Sequence, residues 1–256
     1  MSMNTRHYFE FTTADLYSAL NAWYQSPVGR QLLTEIRAQL DVMLPRLFGY
    51  YALQVGNLGA NVDLMANSHI KQRFCLDMNP GSADLLAKAD ALPFQEDSLD
   101  LILLMHSLDF AEAPHRVLRE VDRTLIPEGH VVIVGFNPMS LFGLWKIMPG
   151  RKNRVPWCGR FYSGSRLKDW LSLLGFEALA SNNLGFRPPI QRMGLQQRLE
   201  FLERGGVRYL PYFGSIHVIL AQKKLATLTP IKPRWRSRKS LLAGNLTEPS
   251  ARELCP

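Results

Sequence analysis

Two features of the chain could together hold a nucleotide-like ligand. The segment Tyr51-Ala-Leu-Gln-Val-Gly-Asn-Leu-Gly-Ala-Asn61 is an apolar run followed by a loop. Gly56 lets that loop turn tightly and approach a ligand closely. Asp77 ends the next apolar run, about twenty residues further on, where an acidic side chain accepts hydrogen bonds from a ribose diol. An aspartate at a strand end is equally a turn former or helix cap, and spacing alone leaves both readings open. A nicotinamide-type GxGxxG starting at Gly56 needs glycine at 58 and 61. The chain has Leu58 and Asn61, which disfavours a dehydrogenase. Cys75, Cys158 and Cys255 show no CxxC spacing, which speaks against a disulfide scaffold or zinc site and suits a reducing compartment.

These residues need a sheet to position them. Thr12 or Thr13 can cap a helix running to about Tyr24, and Ser26-Pro27 reads as an N-cap with first-turn proline. Leu33, Ile36, Leu40, Leu44 and Leu47 then mark one buried helical face, with Pro45 tightening its last turn. Strands are expected at Tyr51 to Val55, Arg73 to Asp77, Leu85 to Ala89 and Asp100 to His106. Ala113-Pro114 opens a helix with Val117, Leu118, Val121 and Leu125 on one face, ended by Pro127 and Gly129. His130 to Phe136 is a further apolar strand. Ser165 can cap a helix closed by Gly175, and Phe176 to Ala180 and His217 to Ala221 supply the last two strands. Strand alternating with helix argues a parallel α/β sheet with right-handed crossovers.

The chain has 256 residues, 46% of them hydrophobic, which excludes a disordered polymer. The first twenty residues lack the apolar run of a signal peptide, and Val131 to Phe136 is far too short to cross a bilayer. A cytoplasmic protein without a transmembrane segment is expected. The formal charge is +8, with much of the excess late, in Lys223, Lys224, Lys232, Arg234, Arg236, Arg238 and Lys239. Such a basic tail reads either as a solvated, poorly ordered segment or as a contact for RNA or an anionic surface.

Residues 89 to 104, ADALPFQEDSLDLILL, and the following HSLDFAEAPHRVLREVDRTLIPEGHVVIVGFNP carry a more specific pattern. Here the chain resembles the class I S-adenosylmethionine-dependent methyltransferases, closest to the type 11, quinone C-methyltransferase-like branch. The matching positions are Asp90-Ala91, Leu92-Pro93-Phe94, Asp97 to Asp100, Leu118-Arg119-Glu120 and Pro127-Glu128-Gly129. The helix around Trp170, Leu171 and Leu174 before Gly175-Phe176 also matches. The resemblance covers roughly residues 50 to 222.

It implies an α/β Rossmann-like seven-stranded sheet, ordered 3-2-1-4-5-7-6 with strand seven antiparallel, and S-adenosyl-L-methionine as cofactor. Residues 1–48 would form a helical N-terminal extension, 49–224 the methyltransferase domain with a lid at 137–164, and 225–256 the basic tail. Gln54, Gly56, Asn57 and Gly59 fall at the loop that meets the methionine part, and Asp77 at the ribose acid. Asp90 falls where the adenine amino group is accepted, Ala91 offers a backbone N–H to the ring, and Leu92 adjoins it. His106 falls at the end of strand four near the methionine part, and is the best placed candidate base should the acceptor have to lose a proton. Arg30 could fold over the site toward a carboxylate.

The family loop reads acid-x-G-x-G-x-G. This chain has Gln54, Gly56, Leu58 and Ala60, so the acid is a neutral amide and one close approach carries a side chain. Only twelve residues separate Asp77 from Asp90, and Val62 to Ser68 is short for a helix. The apolar lid, with Trp145 and Trp157, suits a small or lipophilic acceptor. The alternatives are a catalytically degenerate relative that binds another ligand or a partner, and an RNA methyltransferase. No oligomerisation signal stands out.

Overall fold

The structure, a computed structural model, describes residues 13–58, 62–78, 83–148, 154–188 and 211–224. All belong to one compact unit, Met1–Leu225. Gly59, Arg151, Lys152, Cys255 and the basic tail from residue 225 lie outside the described residues.

Helix α1 (Thr13–Tyr24) meets helix α2 (Pro27–Met43) at Ser26. The Ser26 hydroxyl accepts the Gly29 N–H at 3.2 Å, and Pro27 sits in the first turn, where a missing N–H leaves no gap. Pro45 lies in a tight 3-10 turn, Leu44–Arg46, at the far end. The strands are β1 (Tyr51–Val55), β2 (Gln72–Asp77), β3 (Leu85–Leu86), β4 (Leu99–Met105), β5 (Leu125–Phe136), β6 (Phe176–Leu184) and β7 (Ile216–Lys223). Between them lie α3 (Ser107–Phe110), α4 (Pro114–Thr124), α5 (Leu141–Ile147) and α6 (Gly164–Leu173). The sheet order is β3-β2-β1-β4-β5-β7-β6, with β7 antiparallel to both neighbours and the other pairs parallel. This is the order and orientation expected.

Because side chains alternate along a strand, the sheet divides the core in two. Leu101, Leu103, Val132 and Val134 face α1 and α2, where Leu20, Leu32, Ile36 and Leu40 are buried. Ile102, Leu104, Val131 and Ile133 face α4 and α6, through Val117, Val121, Leu167 and Leu171. Burying each such side chain contributes about 1.5–3 kcal/mol. Helices α1 and α2 are one of the two layers that cover the sheet. Residues 62–71 form turns, with no helix between β1 and β2 among the described residues.

Several boundaries differ from expectation for physical reasons. The helix expected to run to Pro127 ends at Thr124, because Leu125 pairs with Leu99 in the sheet. The ladder then skips to Leu101 opposite His130, so Pro127 removes no ladder hydrogen bond. β3 stops at Leu86 rather than Ala89, and β4 ends at Met105 because His106 leaves the strand at φ 56°. The cap of α6 is Ser163, whose hydroxyl accepts the Arg166 N–H, and not Ser165. β6 extends to Leu184; its exposed polar residues belong to an edge strand whose ladder with β7 runs from Phe176–Lys223 to Leu184–Ile216.

The α1–α2 corner depends on Gly29. A Cβ there would lie 2.4 Å from the Trp23 carbonyl oxygen and 2.5 Å from the Tyr24 Cα, both backbone atoms. Gly29→Ala is expected to destabilise the fold by about 1–3 kcal/mol. Urea denaturation measures this; an unchanged midpoint would mean that the corner yields freely.

Candidate functional site

A crevice opens at the carboxyl ends of β1, β2 and β4, where strand order reverses and α/β sheets bind ligands. It holds a cavity of about 100 Å³ that opens to solvent. Gly56, Asp77, Asp90, Ser107, Glu112 and Tyr17 of α1 line it. Gly56 turns at φ 89°, and its N–H donates to the Leu76 carbonyl at 2.9 Å. A Cβ at this position would meet the Met105 carbonyl oxygen at 2.7 Å and the Tyr17 ring at 3.1 Å. Only glycine fits. Three carboxylates and one ammonium, Lys88, edge the crevice, which suits a cationic ligand rich in hydroxyl and amino donors.

The expected site residues divide into those that face this space and those that build it. Gly56, Asp77 and Asp90 line it together, across 34 residues of sequence. Asp77 is buried, and its two oxygens accept the Asn57 N–H at 3.2 Å and the Met78 N–H at 2.6 Å. Asp90 lies 3.8 Å from the Arg116 guanidinium. Gln54 does not point into the crevice: its amide N–H donates to the Gly56 carbonyl at 3.0 Å and braces the loop. Leu58 turns away into the core beside α1. Arg30 is exposed on α2 and does not line the crevice.

Ala91 and Leu92 both donate their N–H groups within the chain. The Ala91 N–H, expected to meet a ligand ring, donates to the Lys88 carbonyl at 3.1 Å. The Leu92 N–H donates to Glu120 at 3.0 Å. Arg123 pairs with Glu120 at 2.8 Å and donates to the carbonyls of Leu92 and Phe94. That hydrogen bond from Arg123 holds the Glu120 carboxyl below its ordinary range. The two distant motif segments are thus one clamp, in which α4 fixes the turn that presents Asp90.

His106 is also placed differently from expectation. It is fully buried behind Ser107 and does not line the crevice. Its Nδ1 lies 2.9 Å from Asp109 Oδ2 and its Nε2 lies 2.6 Å from the Tyr24 hydroxyl, while its ring stacks on Phe136 at 4.1 Å. Burial raises the Tyr24 pKa well above the usual range, so Tyr24 remains a donor. Burial raises the Asp109 pKa, opposed by its bonds to His106 and the Phe136 N–H. Sequence reasoning missed Tyr17, Tyr24 and Asp109. Tyr17 and Tyr24 lie seven residues apart, two turns along one helical face, and Asp109 follows His106 by three, so periodicity could have found them.

His217 of β7, equally missed, is buried with neither ring nitrogen hydrogen-bonded. Burial, then the nearby His106, lowers its pKa from 6.5 to about 3. As pH falls below 6.5 the unfolded chain takes up this proton and the folded chain does not. The neutral histidine thus contributes fully above pH 6.5, and that contribution is lost progressively toward pH 3. His217→Leu is expected to flatten the acid limb of stability by up to about 1.4 kcal/mol per pH unit. Urea titrations of both proteins at several pH values measure it; parallel limbs would refute the assignment.

Comparison with known proteins gives the same picture. The methyltransferase domain family matches residues 50–133. YafS, an uncharacterized protein of Escherichia coli strain K12, is 32% identical over 221 residues, covering 84% of this chain and 86% of that one. A methyltransferase from Haloferax volcanii, solved in complex with the Trm112 methyltransferase activator, superimposes with a TM-score of 0.60 at 16% identity, over 84% of this chain and 98% of that one. A SAM-dependent methyltransferase from Thermotoga maritima gives a TM-score of 0.57 at 18% identity, over 82% and 98%. At such identities the two structures speak for the fold. With the sheet order, the matched domain and the relative similar over most of both chains together, the chain belongs to the class I S-adenosylmethionine-dependent methyltransferase family, whose cofactor is S-adenosylmethionine.

Proposed function

We propose that this protein transfers a methyl group from S-adenosylmethionine to a small or lipophilic acceptor, and that the crevice between β1, β2 and β4 holds the cofactor. The observation that carries this reading is the convergence of Gly56, Asp77 and Asp90 on one space edged by carboxylates. Bound there, the cofactor supplies a methyl group already activated on a sulfonium. Gly56 allows close backbone approach, Asp77 offers a carboxylate to a ribose diol, and Asp90 offers an acceptor for an exocyclic amine. Methyl transfer then asks chiefly for positioning. His106 serves as a positioning residue, holding Tyr24 and the end of β4, because neither of its nitrogens faces the crevice.

The acceptor side supports a lipophilic partner for the reaction. Phe136 stacks on Phe142 and Phe161, Phe142 stacks on Trp157, and Trp23 of α1 packs edge-on against Phe136 and Phe142. On this reading residues 13–48 and the described part of 137–164 cover this aromatic cluster, and the sheet-bearing domain is the catalytic body. We place the protein in the cytoplasm on its free thiols: burial pushes Cys75 up to about 12, which leaves it unreactive.

A second reading keeps the fold without the reaction. The Ala91 N–H, both Asp77 oxygens and the Gln54 amide are engaged within the chain, which favours a relative that binds a different ligand. Calorimetric titration with S-adenosylmethionine and its demethylated product separates the two, with nicotinamide and flavin nucleotides as controls. Micromolar binding, lost in Asp90→Ala and weakened in Asp77→Ala, is expected; absence of binding at millimolar ligand would favour the second reading. Gln54→Glu replaces the donor that braces Gly56 with an acceptor, and is expected to weaken binding about tenfold. Tighter binding by this variant would mean that the amide opposes the ligand.

A further inference from the structure

Helix α5 (Leu141–Ile147) has two opposite faces. Phe142 is buried against Trp157, whose indole N–H donates to the Phe142 carbonyl at 3.2 Å. Leu141, Leu144 and Ile147, at three-residue steps, form a stripe on the other side, with Leu144 61% and Ile147 71% exposed. Met139 before the helix and Met148 after it are exposed as well. The stripe continues onto the segment before β7. The Asn137 side-chain amide donates to the carbonyls of Tyr212 and Gly214 at 2.7 and 2.9 Å, while its oxygen accepts the Met139 N–H at 3.0 Å. Tyr212 and Phe213, both exposed, are thereby held beside Met139. Single exposed leucines are ordinary; a contiguous apolar face of this kind marks an interaction site.

The charge around it identifies the partner. Between Glu128 and Asp169 the chain contains seven lysines and arginines and no acidic residue. Lys146 reaches back from α5 to the Gly159 carbonyl, which brings the 154–160 segment alongside the helix. Arg154 and Arg160 are exposed on that segment. An apolar stripe in a stretch of sequence whose charged residues are all cations matches an interfacial helix, whose apolar side enters the acyl boundary while its basic neighbours meet anionic headgroups. RNA would use the cations and leave the leucines in water. A second copy of this chain would bring like charge against like charge.

We propose that α5 and the adjoining Tyr212-Phe213 turn dock this protein on an anionic lipid surface. The inference stands apart from methyl transfer, because docking is read without cofactor. The full chain is sedimented with vesicles of phosphatidylcholine, alone or mixed with phosphatidylglycerol. Binding to the mixed vesicles, weaker on phosphatidylcholine and falling with added salt, is expected. Leu144→Asp and Ile147→Asp should each weaken it by about tenfold, as when a leucine-sized side chain is withdrawn from an apolar phase. Both side chains are exposed, so circular dichroism of the variants should match the parent. Replacing Lys232, Arg234, Arg236, Arg238 and Lys239 by Gln should leave most of the binding. Absence of vesicle binding, binding indifferent to the two α5 substitutions, or its loss in the tail variant alone would overturn the proposal. So would light scattering that shows a dimer abolished by Leu144→Asp, or displacement from vesicles by an RNA oligonucleotide with α5 variants unaffected.

Discussion

The hydrogen-bonded line from Asp109 through His106 to Tyr24 is the constraint on which the crevice depends. Its three side chains are buried, where a polar group left unpaired would be costly and each partner therefore specifies the next. Asp109 also accepts the Phe136 N–H, so one carboxylate joins the end of β5 to the turn that follows β4. Tyr24 carries the connection across to α1. Two turns back along that helix, Tyr17 forms a wall of the crevice and hydrogen-bonds Ser107, which in turn donates to the Val55 carbonyl at 2.8 Å. The position of α1 and the shape of the space beside Gly56 are thus set by the same few buried groups.

The same helices replace something. A doubly wound sheet needs both faces covered, and the short connections around β2 and β3 supply little cover. α1 and α2 bury Leu20, Leu32, Ile36 and Leu40 against the face that presents Leu101 and Leu103. With that layer in place, the turns after β1 need only hold Asn57 and Asp77 together. The loop can then depart from three glycines: Leu58 has a core to enter, and Gln54 secures Gly56 with a hydrogen bond that a carboxylate could not donate.

On the opposite side, Glu120 and Arg123 show why separated motifs act as one unit. A helix that buries Val117, Leu118 and Val121 delivers both charged side chains to the backbone of Leu92 and Phe94. Packing of α4 therefore decides where Asp90 stands, without Glu120 or Arg123 lining the crevice.

The strand order and the family followed from the resemblance carried by Asp90 to Phe136, whereas the strands themselves were legible in the residues, because continuous apolar runs and capping signals such as Ser26-Pro27 act over a few positions. So was the role of Gly56, since a tight turn after a strand is a local demand. Edge strand β6 was read short because its polar residues hide its pairing, and α4 was read long because Leu125 is apolar in either state. What only the tertiary structure decided are the long-range polar contacts: that His106 turns inward to Tyr24 and Asp109, that Ala91 and Leu92 spend their N–H groups within the chain, and that α1 belongs to the site. Hydrophobic periodicity tells which face of an element is buried, but a buried hydrogen bond is chosen by the element packed against it. That neighbour, for His106, lies 82 residues away.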